Sequence, residues 1–347
     1  AVVFAVSDTA TAIAASSNDA LDEATTVTAS TTATTAQAAT IAAFGQAVVY
    51  NVSGTAAEIA AASAGARNEA VNITITGDAT IAQATTAEDA TNSGTVTVGT
   101  ISDTATLIAA STNAVIANSA GAVTASTTAT TAEAATIAAF SQAVVYNVSG
   151  TAAEIAAASA GARNEAVNIT ITGDATIAQA TTAEDATNSG TVTVGTISDT
   201  ATLIAASTNA VIANSAGAVT ASTAATVAEA TTIDAFAKAV VFAVSDTATA
   251  IAASSNAAID EATTVTASTA ATVAEATTID AFAKAVVFAV SDTATAIAAS
   301  SNDALDEATT VTASTTATTA QAATIAAFGQ AVVYNVSGTA AEIAAAS

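Results

Sequence analysis

Cysteine, methionine, tryptophan, histidine and proline are all absent from this 347-residue chain. Without cysteine, the chain has no disulfide, no thiolate metal ligand and no thiol nucleophile. Without histidine, it lacks the commonest general base and the commonest protein metal ligand. These absences exclude histidine-based catalytic triads and histidine–zinc sites, and we expect a protein that is not an enzyme and has no cofactor.

Basic residues are also scarce. The chain has 29 acidic residues and only four basic ones, so its net charge is −25. The basic residues are Arg67, Arg163, Lys238 and Lys284. This charge repels nucleic acid and anionic membrane surfaces and favours solubility and the uptake of divalent cations. No run of about 18 uninterrupted apolar residues exists, as a membrane-spanning helix would need. We therefore expect neither a nucleic-acid partner nor membrane insertion.

Long internal repeats organise what is present. Residues 1–63 recur as 285–347, an offset of 284 residues, and residues 47–142 recur closely as 143–238, an offset of 96. The stretch AVVFAVSDTATAIAASSN that begins at Ala239 returns 46 residues later. Repetition at fixed periods is typical of solenoids. The pattern predicts one continuous solenoid over residues 1–347, with sub-blocks 1–46, 47–142, 143–238, 239–284 and 285–330.

A shorter unit of about 23 residues runs through these blocks and gives about 15 coils. Each unit opens with a run of alternating residues that ends at a Ser or Thr. In the first coil, Phe4 and Val6 lie on one side of this run, whereas Val3 and Ala5 lie on the other. A period of two with one apolar face predicts a half-buried strand.

The period changes after each strand. After the first strand, alanine-rich sequence separates two large apolar residues, Ile13 and Leu21. A large apolar residue every seven or eight positions predicts a short helix with one buried stripe. Ser7 or Asp8 then occupies the expected N-cap position. The predicted core comprises Phe4, Val6, Ile13, Leu21, Phe44, Tyr50, Val52, Ile59, Ile108, Ile116 and Phe140.

Together these patterns predict an α/β solenoid, with a parallel sheet and one strand plus one short helix per coil of about 23 residues. Gly99 and Gly195 interrupt the longer strands and indicate a bulge or wide corner. An all-β solenoid remains the alternative, because the threonines of stretches such as TATTAEAATI are β-branched and favour strands.

An aspartate follows the strand in several coils and is the strongest candidate for a metal ligand. Carboxylates repeated along a solenoid can bind calcium. Neighbouring coils, however, have Thr31, Gly54 and Gly77 at this point, so the carboxylates form no continuous row. Helix capping is therefore the preferred interpretation, and calcium is the weaker one. The candidates are Asp8, Asp103, Asp199, Asp246 and Asp292.

Two other patterns lie on the strands. Thr26-x-Thr28 and Thr264-x-Thr266 face outward, as in ice-binding solenoids, but neighbouring coils do not continue the array. Five Asn-x-Ser/Thr sequences fit the glycosylation sequon, although ladders of Asn, Ser and Thr between coils are the preferred use. These asparagines are Asn51, Asn72, Asn147, Asn168 and Asn335.

One sequence motif recurs at the strand-to-helix corners, in the forms VSDTATAIAAS, ISDTATLIAAS and VSGTAAEIAAAS. It resembles the DTAxxIAA repeats of very large bacterial surface and adhesin-like proteins. The resemblance covers most coils, though this chain has more Thr and Ala and very little Lys or Leu. It implies a secreted, elongated, non-catalytic protein and carries over no functional residue.

Together, the repeats and the resemblance predict a structural segment of an extracellular or cell-surface fibre, sheath or adhesin stalk. Self-association, head to tail or lateral, would build its filament. The alternative function is a binding module for calcium, glycan or ice on a solenoid face.

Overall fold

The computed structural model describes residues 2–301 and 303–345. The chain divides into two compact units, Ala1–Thr172 with Asp185–Thr193 and Gly173–Glu184 with Val194–Ser347. Both units are built from short parallel strands and short helices that alternate along the chain. The fold is therefore the predicted α/β solenoid.

The strands are short and follow the predicted period. Their bounds are β1 (Ala5–Asp8), β2 (Thr26–Ala29), β3 (Val48–Val49), β4 (Val52–Thr55), β5 (Ile73–Ala79), β6 (Val96–Asp103), β7 (Val123–Ala125), β8 (Val144–Val145), β9 (Val148–Thr151), β10 (Ile169–Ala175), β11 (Val192–Asp199), β12 (Val219–Ala221), β13 (Val240–Val241), β14 (Val244–Asp246), β15 (Val265–Ala267), β16 (Val286–Val287), β17 (Val290–Asp292), β18 (Val311–Ala313), β19 (Ala317–Thr318), β20 (Val332–Val333) and β21 (Val336–Ser337).

The helices have four to eight residues. Their bounds are α1 (Ala10–Ala14), α2 (Asn18–Leu21), α3 (Thr35–Ile41), α4 (Ala56–Ala61), α5 (Ala64–Asn68), α6 (Ile81–Glu88), α7 (Ala105–Ala109), α8 (Asn113–Ala117), α9 (Thr131–Ile137), α10 (Ala152–Ala157), α11 (Ala160–Asn164), α12 (Ile177–Glu184), α13 (Ala201–Ala205), α14 (Asn209–Ala213), α15 (Val227–Asp234), α16 (Ala248–Ala252), α17 (Asn256–Asp260), α18 (Val273–Asp280), α19 (Ala294–Ala299), α20 (Asp303–Asp306), α21 (Thr319–Ile325) and α22 (Ala340–Ala345).

Two kinds of coil alternate, which the sequence interpretation of one helix per coil did not foresee. Coils with two short helices, such as α1 with α2, alternate with coils that have one longer helix, such as α3. A second N-cap starts the second helix in the two-helix coils, for example Ser63 before α5 and Thr112 before α8. The shortest structural repeat is therefore a pair of coils, which explains the 46-residue offset.

The parallel sheets are interrupted at regular intervals. In the first unit, β1–β2–β3 form one sheet and β4–β5–β6–β7–β8 form the next. The strand segments β3 and β4 belong to the same coil, but β3 pairs with the preceding coil and β4 with the following one. Tyr50 and Asn51 form the bend between them. In the second unit, β13 and β14 are related in the same way around Phe242 and Ala243.

This bend changes the register on which the sequence interpretation relied. The hydrogen-bonded strands align Thr28 with Ser7 on one side and with Val49 on the other. The equal spacing of coils in the sequence instead aligned Thr28 with Ala5 and Asn51. That alignment was wrong by two residues, because these three strands pair at an offset of 21 residues and the remaining residues of each coil are taken up in the corners.

The core lies between the sheets and the helices. Ile73 and Ile101 reach it from the strands, and Ile59 and Ile108 reach it from the helices, all with essentially no exposed surface. The prediction of a buried core is confirmed for Ile13, Leu21, Tyr50, Val52, Ile59, Ile108 and Ile116. It is wrong for Phe4, Val6, Phe44 and Phe140, which are exposed or half-buried.

The prediction of burial is wrong for Phe44 and Phe140 because these residues follow the single helix of a one-helix coil. There the helix buries Ala38 with Ile41, or Ala134 with Ile137, and the chain leaves the core before the phenylalanine. The predicted spacing suited only the two-helix coils. The all-β alternative is wrong for the same stretch, since TATTAEAATI contains the N-cap Thr130 and helix α9.

The predicted bulge lies where the longer coils begin. Pairing between β5 and β6 shifts between Ile75 and Asp78, and Gly77 takes a φ of +79° that favours glycine. Gly99 serves a different purpose, because a Cβ there would lie 2.7 Å from the carbonyl oxygen of Gly77. The extra residue is thus in β5, and Gly99 permits the close approach of the next strand. Among the described residues, no helix has the length and apolar character needed to cross a membrane.

The core assignment predicts different effects at two adjacent positions of α7. Ile108 is fully buried, whereas Leu107 is 48% exposed. Ile108→Ala should lower the free energy of unfolding by about 2–5 kcal/mol, because it leaves a cavity. Leu107→Ala should change it by no more than about 0.5 kcal/mol. Urea unfolding followed by circular dichroism measures both, and equal losses would contradict the assignment.

Candidate functional site

Each candidate aspartate lies at the strand-to-helix corner of its own coil. The first helix of each such coil begins with a threonine N-cap, which is Thr9 for α1 and Thr104 for α7. The expected N-cap at Ser7 or Asp8 was therefore wrong by one or two residues. Asp8 has a supporting role, because its Oδ1 accepts a hydrogen bond from the backbone N–H of Thr9 at 2.7 Å.

The carboxylate of Asp103 joins two successive coils. Its Oδ1 accepts from the N–H of Thr104 at 2.8 Å, and its Oδ2 accepts from the N–H of Ile81 at 2.9 Å. Ile81 is the first residue of α6 in the preceding coil. One side chain therefore satisfies backbone donors at the start of two helices, where a negative charge is also favoured by the helix dipole.

The same arrangement recurs in the second unit. Asp199 bonds Thr200 and Ile177, Asp246 bonds Thr247 and Val227, and Asp292 bonds Thr293 and Val273, at 2.7–3.0 Å.

In the coil that follows each aspartate, a threonine hydroxyl takes this role. Thr127 Oγ1, for example, accepts from the N–H of Ala105 at 3.0 Å. Thr31, Thr223, Thr269 and Thr315 make the equivalent bond to the helix of the preceding coil.

Capping is thus the observed use of the five candidate aspartates. The structure does not bring them together: among the described residues, no three Asp or Glu side chains form a group that could hold a metal ion. Calcium binding at Asp8, Asp103, Asp199, Asp246 and Asp292 stays a prediction, and each carboxylate offers a cation only the lone pairs left over from capping.

Capping boxes, which the sequence interpretation missed, fix further helix starts. Thr130 Oγ1 accepts from the N–H of Glu133, and Glu133 Oε2 accepts from the N–H of Thr130 at 2.8 Å. Glu133 Oε1 also accepts from the hydroxyl of Thr106 in the preceding coil at 2.7 Å. The spacing T-x-x-E or T-x-x-Q is the sequence signal that could have revealed these boxes.

These hydrogen bonds hold the pKa of several capping glutamates below its ordinary value. For Glu133, Glu229 and Glu275 the hydroxyl of a threonine in the preceding coil contributes most, followed by the N-cap backbone N–H. For Glu58 and Glu154 the N-cap backbone bond is the largest cause of the lowered pKa. Glutamine replaces glutamate in the boxes of Gln37, Gln83 and Gln321, so these boxes do not titrate.

Two further side chains tie the first unit together and were not foreseen. The buried Tyr50 hydroxyl donates to the carbonyl oxygen of Ala66 at 3.1 Å, and burial together with the Glu69 charge raises the pKa of Tyr50 to about 12. Arg67 Nη1 donates to the carbonyl oxygens of Ile59 and Ala62 at the end of α4. Tyr146 and Arg163 repeat both contacts.

Four of the sequon asparagines form the predicted ladder. Asn51 Oδ1 accepts from the Nδ2 of Asn72 at 2.9 Å, and Asn72 Oδ1 accepts from the N–H of Thr95 at 2.9 Å. Asn147 and Asn168 repeat the first contact. The Thr26–Thr28 face is outward, as expected, and its register with Ser7 and Val49 leaves the threonine array broken.

Two cavities lie beside the few basic residues. One of about 260 Å³ is lined by Arg67, Asn68, Thr86 and Asp89, among others. The other, of about 230 Å³, adjoins Lys238. The sequence around Lys238 recurs 46 residues later around Lys284. The residues that line this cavity therefore belong to a repeated segment of the sequence.

No protein-family profile matches this chain, and neither the curated proteins nor the solved structures include a match to it.

The bridging role of Asp103 predicts a loss of stability that does not depend on calcium. Asp103→Ala removes two caps, each worth about 0.5–2 kcal/mol. The loss should be the same in calcium and in chelator at constant ionic strength. Asp89→Ala is the control, because Asp89 follows the C-terminus of α6, where a carboxylate is disfavoured. Thermal melting measures both variants. A loss for Asp103→Ala that disappears in chelator would show that the aspartate acts through a bound cation.

The capping glutamates predict acid sensitivity. A carboxyl whose pKa is lowered by folding contributes stability above its unfolded pKa of about 4.3, and this stability is lost as the pH falls through the folded pKa. Glu133→Gln, Glu229→Gln and Glu275→Gln together should flatten the fall in melting temperature as the pH drops below about 4.3, since glutamine caps without titrating.

The matched control removes three carboxylates outside the boxes, by Glu23→Gln, Glu261→Gln and Glu307→Gln. These residues follow or cap the C-terminal ends of α2, α17 and α20. Both triple variants change the net charge equally, so a difference between their pH profiles reports on the capping boxes. Identical profiles would contradict the role assigned to these glutamates.

Proposed function

We propose that this chain is a structural protein, a segment of an extracellular or cell-surface fibre, sheath or adhesin stalk. The observation that carries the proposal is the repeated use of polar side chains between coils. Asp103 and its equivalents, the threonines that alternate with them and the Asn51–Asn72 ladder all bond one coil to the next. Side chains that could serve a ligand are thus used to extend the solenoid.

The repetition also supports a role without catalysis. A catalytic site needs a constellation of groups that differs from its surroundings, whereas the corners around Asp199, Asp246 and Asp292 are nearly identical. The lack of sulfur makes the chain indifferent to oxidation, which suits exposure outside a cell. The resemblance to the DTAxxIAA repeats of bacterial surface proteins points the same way.

A binding module is the second candidate. The observation that favours it is the recurrence of a carboxylate at one edge of the strands, at Asp103 in the first unit and at Asp199, Asp246 and Asp292 in the second. Calcium could use the remaining lone pairs of these carboxylates. Glycan or ice would have to use the outward strand face instead.

Electron microscopy and fibre diffraction test the structural role. We expect unbranched fibres whose parallel strands run across the fibre axis, with a meridional spacing near 4.8 Å, about the distance between neighbouring strands. The 284-residue repeat, about 12 coils, should add an axial period of roughly 57 Å by the same spacing. Discrete globular particles, or strands that run along the axis, would contradict the proposal.

A further inference from the structure

The outward face of the strands carries rows of the same three residue types. In the first unit, Ser102 on β6 lies opposite Thr124 on β7, which lies opposite Val145 on β8. In the second unit, three equivalent rows follow one another. We call these the Ser–Thr–Val rows: Ser7–Thr28–Val49, Ser102–Thr124–Val145, Ser198–Thr220–Val241, Ser245–Thr266–Val287 and Ser291–Thr312–Val333.

The valine of each row is unusually exposed for an apolar residue. Val145 and Val241 expose 46% and 47% of their surface, and Val49 and Val287 expose 50% and 52%. The inward neighbours Val144 and Val240 are buried. Apolar surface is therefore exposed to solvent at the same position of every row. This regular placement differs from the single exposed apolar side chains that are scattered over most protein surfaces.

Charge is the second feature of these rows. The chain carries 29 acidic residues and a net charge of −25, yet no residue of the rows is charged. Asp103 and its equivalents stand at the ends of the strands and bond helix N-termini. Asp78 and Asp174 lie on the outward face of the strands before two of the rows, where each accepts from a threonine hydroxyl, Thr100 or Thr196. Two copies of this chain repel one another through their acidic surface, whereas the rows themselves contribute no carboxylate to a contact.

Two asparagines beside the first row already have their side-chain oxygens bonded. Asn51 Oδ1 accepts from both the backbone N–H and the Nδ2 of Asn72. Asn72 Oδ1 accepts from the backbone N–H and the hydroxyl of Thr95. Burial of a polar group that keeps its hydrogen bond costs far less than burial of an unpaired one. This part of the face can therefore lose water at little expense.

We propose that the Ser–Thr–Val rows are the lateral contact surface for a second copy of this chain. The proposal rests on the fibre-forming function above and names the face that the fibre uses. A second copy fits because it presents valines at the same intervals of 46 and 96 residues, and because small side chains on two sheets can interdigitate. A cationic partner would instead be drawn to the carboxylates, away from the rows.

Two double variants of the full chain test the proposal. Val145→Glu with Val241→Glu places charge on the rows of both units. Leu107→Glu with Leu203→Glu is the matched control, because these leucines are 48% and 49% exposed and lie on helices α7 and α13. Each pair adds the same charge at positions of nearly equal exposure. Circular dichroism and thermal melting establish that both variants fold.

Sedimentation velocity in 1 M NaCl, where the Debye length is about 3 Å, measures association without long-range repulsion. The unaltered chain and the leucine variant should show at least a twofold increase over the monomer mass of 32.8 kDa. The valine variant should remain at the monomer mass, since a charge in a dry contact stays unfavourable at high salt. If it does not fold, Thr124→Glu with Thr220→Glu charges the same rows and should give the same loss.

Several outcomes would overturn the proposal. Equal association of both glutamate variants, or its loss only in the leucine variant, would place the contact elsewhere. If association requires calcium and is unchanged in the valine variant, the contact between copies is made by carboxylates that share a bound cation. An unaltered chain that stays monomeric at high salt, yet gives elongated single particles in electron microscopy, would remove the lateral contact and leave the structural role standing.

Discussion

The helices of this protein are too short to be stable alone, and the rest of the structure depends on how their ends are satisfied. Each has between four and eight residues, whereas isolated helices below about 12 residues are marginal in water. The first four N–H groups of a helix have no partner inside it, so here they make up half or more of the helix. The solenoid solves this by taking caps from two sources, its own N-cap threonine and a side chain of the next coil.

This shared capping explains why aspartate and threonine alternate. The first N–H of α6 is bonded by Asp103, and the first N–H of α7 by Thr127, each from the coil that follows. A carboxylate of the next coil bonds the one-helix coils of α6, α12, α15 and α18, and a hydroxyl of the next coil bonds the two-helix coils that begin with α1, α7, α13, α16 and α19. Between Asp246 and Asp292, where the 46-residue sequence offset holds, the same hydrogen bonds between coils recur with it.

The sequence predicted the features that depend on local pattern. Period-two runs gave the strands, and the stripe of Ile13, Leu21 and Ile59 gave the buried helix faces. It did not predict the register at Thr28, because the sequence spacing of coils counts corner residues that strand pairing omits. The sequence also did not predict the second helix of alternate coils, because its N-caps, such as Ser63 and Thr112, lie within the stretch that was predicted as one helix.

The candidate site was predicted in part, for a related reason. The aspartates were expected to cap helices because of their position after a strand; threonine is the N-cap instead, and the aspartates accept from its N–H. The sequence also pointed only to their own coil. The bond from Asp103 to Ile81 joins residues 22 positions apart, and only the stacking of coils brings them together. The Tyr50–Ala66 and Arg67–Ile59 contacts likewise depend on how neighbouring segments pack.

The arrangement also accounts for how a chain with so few basic residues tolerates its charge. Carboxylates such as those of Asp103 and Glu133 lie at helix N-termini, where backbone N–H groups and the helix dipole stabilise a negative charge without any cationic side chain. Arg67 is used at the opposite end of a helix, on the carbonyl oxygens of α4. Because helices follow parallel strands, their N-termini collect at one edge of each sheet, and with them much of the acidity. On the outward strand face, which needs no caps, the Ser–Thr–Val rows carry no charge, and Asp78 and Asp174 accept hydrogen bonds from threonine hydroxyls of the neighbouring strand.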